Sequence, residues 1–221
     1  MCGLEARSVG PLRRTDTHRF KSPPARPDRN FVRLVLLVLL IAVGVGVLTG
    51  GRLSALSGLK IRWAPLALLG FALQIVAPTG RWSFPTLMAS FVLLTVFGVV
   101  NLKVPGFALI LAGILMNFLV IGINSGMPVE GYALTKSGQA DTLTMLIEEG
   151  GAKHHLAGPE DQLLFLADAL PIAPPFRQAV SAGDVVAYVG VAYVVVAGMQ
   201  RDRRRDKERD GALEAEGAPG V

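Results

Sequence analysis

Two carboxylates, Asp168 and Asp184, and three polar side chains, Asn117, Asn124 and His154, are the groups from which this chain could build a site. Asp184 stands where an apolar run begins, and a carboxylate there is either a helix cap or part of a site. Ser181, three residues earlier, completes a capping-box pattern, and a helix N-terminus stabilises negative charge, so capping is the preferred reading. Asn117 lies within another apolar run, on a turn that also presents Gly113. Its amide can therefore face a neighbouring helix instead of lipid, and an interhelical hydrogen bond is preferred over substrate contact. Lys153-His154-His155 has the composition of a metal- or proton-handling cluster. Adjacent side chains diverge by about 100° on a helix and point to opposite faces of a strand. One histidine could then ligate zinc with Asp168 or Asp184, while both together rarely would. The preferred reading is a solvated basic patch facing lipid head groups. Asn124, Asp168 and Asp184 fall on one side of the membrane if the spans below are right, and their convergence is an expectation.

The elements that must position these groups are apolar. Apolar residues make up 51% of the chain and charged residues 18%, too little polar surface to coat a soluble globule of this size. An all-α, polytopic membrane protein is expected, with five spanning helices at about 31–48, 61–76, 82–100, 105–123 and 181–199. Each approaches the ~20 residues that cross a hydrocarbon core of ~30 Å. The polar loop 124–183 between the last two spans is the longest interruption. It holds one helix candidate capped by Asp141 over 142–149, and a second opening at Pro159 with Glu160 and Asp161 in its first turn. The second, with its run Leu163–Ala167, is too short to span and is expected to lie in the interface or to re-enter the membrane.

The formal charge of +5 comes from basic residues at the two ends and in short loops. That distribution orients helices in a bilayer and does not signal nucleic-acid binding. Basic residues after Met199 and at Arg52, Lys60 and Arg62 place the C-terminus and the first loop in the cytoplasm, and the loop 124–183 outside. Residues 1–30 form a basic, proline-bearing tail expected to be disordered, as is the cytoplasmic tail 200–221. With five spans the N-terminus lies outside together with Arg7, Arg13, Arg14, Arg19, Lys21, Arg26 and Arg29, against the positive-inside rule. The expectation that follows is a later translation start, at Val32, Val35 or Leu36, with Met1 to about Phe31 absent from the natural protein.

Cys2 is the single cysteine, so no intramolecular disulfide and no cysteine-based metal site can form. The chain has no GxSxG elbow, HExxH, P-loop or dinucleotide-type glycine fingerprint. No catalytic residue, cofactor or metal is therefore assigned.

The motifs Gly50-Gly51-Arg52-Leu53, Asn124-x-Gly126-Met127-Pro128-Val129, Leu166-Ala167-Asp168-x-x-Pro171 and Ser181-x-Gly183-Asp184-Val185, with Gln74, Asn117 and Lys153-His154, occur together. This set resembles an uncharacterised family of bacterial five-span membrane proteins over about Leu34 to Met199. The resemblance implies a fold and a location in the bacterial cytoplasmic membrane, and no activity. The preferred function is a non-enzymatic scaffold or accessory protein whose outer loop contacts lipid or an envelope partner. The alternative is a small-solute or lipid-handling permease with an outward-facing site at Asn117, Asn124, Asp168 and Asp184, and a membrane-embedded enzyme comes third. The oligomeric state is left open.

Overall fold

The computed structural model describes residues 29–76, 80–148, 150–151, 153–201 and 203. The expectations for the basic N-terminal tail and for nearly all of the C-terminal tail concern residues outside that set. The chain is mostly helical, and its long helices follow the apolar runs: α1 (Arg29–Leu48), α2 (Ala64–Val76), α3 (Ser83–Val100), α4 (Phe107–Asn124) and, after the loop, α7 (Ala182–Met199). Three helical segments, Gly80–Val100, Phe107–Asn124 and Ala182–Met199, are long and apolar enough to cross a membrane. The apolar parts of the other two, Val32–Leu48 and Ala64–Val76, are shorter. The second helix starts later than its composition suggests. Trp63 has φ 56, which stops the helix from extending backwards, and Pro65 then occupies the first turn, where its missing N–H costs nothing.

Packing fixes which ends meet. Phe91 stacks on Phe118 at 5.8 Å and Phe97 meets Phe107 edge-on at 5.4 Å, so α3 and α4 are antiparallel neighbours. The closest helix pair is α4 with α7. A Cβ on Gly106 would lie 2.6 Å from the Gly190 carbonyl, and one on Gly113 would run into the Gly183 carbonyl. These glycines recur every seven residues on both helices, which lets the two backbones touch over two turns. The C-terminal ends of α1 and α7 also meet, where the Arg52 N–H donates to the Met199 carbonyl at 2.9 Å. One end of the bundle thus gathers the 49–63 connection, the turn after α3 and the end of α7. The loop caps the opposite end.

That loop corrects a purely helical expectation. It contains α5 (Gly131–Ser137) and α6 (Ala140–Glu148), and four three-residue strands: β1 (Met127–Val129), β2 (His154–Leu156), β3 (Leu170–Ile172) and β4 (Gln178–Val180). β1 pairs with β2 in parallel, with Met127 opposite His154, and β3 pairs with β4 antiparallel, with Leu170 opposite Val180. Asp141 sits in the first turn of α6 instead of before it. The helix expected from Pro159 is also corrected, since only a single 3-10 turn forms there, at Leu164–Leu166. The Asp161 carboxylate accepts from the Gly158 N–H at 2.8 Å, holding a local turn in place of a helix start. Leu166 then enters the main core with Leu87, Phe91, Val120, Ile121 and Met127, so this run seats the loop on the ends of α3 and α4.

Candidate functional site

The candidate site lies at the seam between the loop and the α4–α7 pair. Ser181 precedes α7 and its hydroxyl accepts from the Asp184 N–H at 2.9 Å, while Asp184 Oδ2 accepts from the Ser181 N–H at 3.2 Å. This is the reciprocal capping box that the spacing of the two residues predicts. Asn117 of α4 closes it into a ring. Its Nδ2 donates to Asp184 Oδ1 at 2.7 Å, and its Oδ1 accepts from the Ser181 hydroxyl at 2.8 Å. Gly183 is part of the same construction, because a Cβ there would collide with the Asn117 amide. Asn117 therefore makes an interhelical contact, and Asp184 has both oxygens occupied.

Asp168 reaches the seam from the loop. Its N–H donates to the Pro128 carbonyl at 3.0 Å and its carbonyl accepts from the Glu130 N–H at 3.1 Å, which adds it as a further rung beside β1. The residue is buried, at 8% exposure. Among the described residues its carboxylate has one ion-pair contact, with His154 Nε2 at 3.8 Å, too long for a hydrogen bond. Burial, and then the nearby Asp184 carboxylate, push Asp168 well above the ordinary carboxylate range.

A sign for stability follows from that shift. The fold favours protonated Asp168, so its contribution is complete below the unfolded value of about 4 and is lost as pH rises through the raised folded value. The melting temperature of the detergent-solubilised protein is expected to fall over that window, and Asp168→Asn to flatten the decline. Equal pH slopes in the two proteins would contradict this.

The two histidines keep 53% and 34% side-chain exposure but do not share one face. As neighbours on β2 they face opposite ways. His154 meets Asp168, whereas His155 Nε2 lies 2.8 Å from Asp161 Oδ1. Partial burial raises the Asp161 pKa, but the Gly158 N–H and the hydrogen bond and charge of His155 outweigh it and leave the group lowered. Lys153 is half-buried, and its ammonium donates to the Gln74 carbonyl at the end of α2. Desolvation lowers its pKa. Among the described residues no group of three or more histidine, cysteine or carboxylate side chains is arranged to hold a metal.

Asn124 stays apart from the other candidates. Its amide donates to the Val120 and Gln162 carbonyls, both at 2.9 Å, and accepts from the Gln162 N–H at 2.8 Å, so it ties the end of α4 to the loop. The structure thus brings Asn117, Asp184, Asp168 and His154 to one seam and gives Asn124 a separate clamp. Sequence reading missed two contributors. Asp161 is spent on His155, and Asn101, 1% exposed, holds the Arg62 backbone. The position of Asn101, a polar residue closing the apolar α3, was the available signal.

The chain as a whole has relatives. Residues 58–196 match a family of unknown function, DUF5317, and the chain belongs to that family. The match begins after α1. A Thermotoga maritima protein described as uncharacterized is 29% identical over 161 residues, covering 72% of this chain and 88% of that protein. No solved structure matches.

Proposed function

We propose that this is a non-enzymatic scaffold or accessory protein of a bacterial cytoplasmic membrane, crossing it with α1, α2, α3, α4 and α7 and presenting the loop 124–183 outside. The observation that carries the reading is the closed ring of Asn117, Ser181 and Asp184, whose polar atoms are spent on one another and on the backbone. A reaction centre needs spare donors or acceptors aimed at a substrate, whereas a lock between loop and helices needs none. α2 alone reaches only ~20 Å. Ile61 to Trp63 supply about a further 10 Å if extended. Within that stretch the Arg62 N–H and carbonyl are both held by Asn101 at 2.8 Å, as a membrane boundary requires.

Charge supports the orientation. Arg52, Lys60, Arg62, Lys103, Arg201 and Arg203 gather at one end with no described carboxylate beside them. Arg33, Arg81, Lys136, Lys153 and Arg177 share the other end with every described carboxylate, from Glu130 to Asp184. The basic end is cytoplasmic by the positive-inside rule. The permease reading keeps one observation in its favour, the buried Asp168 carboxylate beside Asp184.

Two arms in living cells test the proposal. An impermeant amine reagent is expected to label exposed Lys136 in intact cells and to reach Lys60 and Lys103 only after the membrane is opened. A photo-crosslinking residue in place of Phe165, 73% exposed, is expected to trap a lipid or one envelope protein. Labelling of Lys136 only in opened cells rejects the orientation, and absence of any adduct at position 165 rejects the scaffold reading.

A further inference from the structure

The 59–63 segment and the turn after α3 are joined by one side chain. Asn101 accepts from the Arg62 N–H and donates to the Arg62 carbonyl, both at 2.8 Å, and is itself anchored by donating to the Phe97 carbonyl at 2.9 Å. This clamp brings Lys60 and Arg62 to the same turn as Lys103, two residues beyond Asn101. All three cations are exposed. Among the described residues none of them takes part in an ion pair, and no described carboxylate lies at this end of the bundle. Ile61, 43% exposed, and Trp63, 57% exposed, alternate with Lys60 and Arg62 along the chain. Cations interleaved with an aromatic and an aliphatic side chain suit the level of the lipid head groups, where tryptophan rings collect.

Resting on the membrane reading above, we infer that Lys60, Arg62 and Lys103 form a docking site for the phosphodiester head group of an anionic phospholipid. The arginine fork matches the phosphate oxygens, the two lysines add point charges, and Ile61 and Trp63 meet the start of the acyl chains. Free phosphate has no acyl chain for those two residues, so lipid is the favoured source of the anion. Each cation contributes on the order of a fivefold preference for anionic lipid near a membrane surface.

Trp63 supplies the readout. With Trp82→Phe it becomes the single tryptophan, because the chain has 2. This protein is reconstituted into phosphatidylcholine bilayers carrying either brominated phosphatidylglycerol or brominated phosphatidylcholine. The three cations together give up to on the order of a hundredfold, so half-quenching is expected at a mole fraction at least about tenfold lower with the anionic lipid. Lys60→Gln, Arg62→Gln and Lys103→Gln together are expected to erase that preference, whereas Arg33→Gln, on a residue near the start of α1, leaves it unchanged. Millimolar inorganic phosphate is expected to have no effect, and its displacing the lipid would overturn the assignment in favour of a free-anion site. Equal quenching by the two lipids rejects the docking site while leaving the membrane reading intact. Quenching by neither rejects both.

Discussion

Gly106→Ala is expected to destabilise the protein by about 3 kcal/mol or more, the sum of a left-handed backbone and an overpacked contact. Gly106 has φ +94, where a Cβ is strained in any surroundings. That Cβ would also lie 2.6 Å from the Gly190 carbonyl and 2.8 Å from the Val194 nitrogen, both backbone atoms that no rotamer change can move. The two helices would have to separate along their whole seam, because Gly113 and Gly183 hold the same close approach two turns further on. Gly44→Ala is the matched control. Nothing lies within 4 Å of a Cβ there, so alanine in that helix is expected to be neutral or stabilising by up to about 1 kcal/mol. Thermal unfolding in detergent, with membrane abundance beside it, separates the two outcomes. Equal effects of the two substitutions would mean that α4 and α7 do not pack as described.

The helices were legible in the sequence because their signal is composition over eighteen or so residues, which tertiary context cannot reverse. The α7 cap was legible for a different reason: serine three residues before aspartate has a specific local geometry, and the structure contains it. The loop defeated the same reasoning. Strands of three residues, such as Met127–Val129, are too short to carry a period. Pro159, Glu160 and Asp161 look like a helix start, yet Asp161 binds the Gly158 N–H and His155 instead. Gly158 is a local partner three residues back, but His155 arrives from β2, a strand too short to be read from spacing. Met127, Pro128 and Val129 proved to be a buried strand, and Asn124 a clamp, so these residues serve packing. The closure of the Asn117 ring joins residues more than sixty positions apart, and no spacing rule reaches that far.

That Asn117, Ser181 and Asp184 form a structural lock between loop and helices is tested most directly by a double-mutant cycle on Asn117 and Asp184, read by thermal unfolding. Asp184→Ala is expected to cost about 3 kcal/mol, from the lost cap and from the Asn117 amide left without its acceptor. Asp184→Asn is expected to be intermediate. Oδ1 and Oδ2 serve donors on two different residues, and one amide oxygen can replace only one of them. Asn117→Ala is expected to cost about 2 kcal/mol by unpairing a carboxylate oxygen and the Ser181 hydroxyl. Removed together, the two side chains leave fewer orphaned groups, so the double variant is expected to fall short of the sum by roughly 1 to 3 kcal/mol. Costs that add to within about 0.5 kcal/mol, or an Asp184→Ala protein as stable as the parent, would contradict the lock.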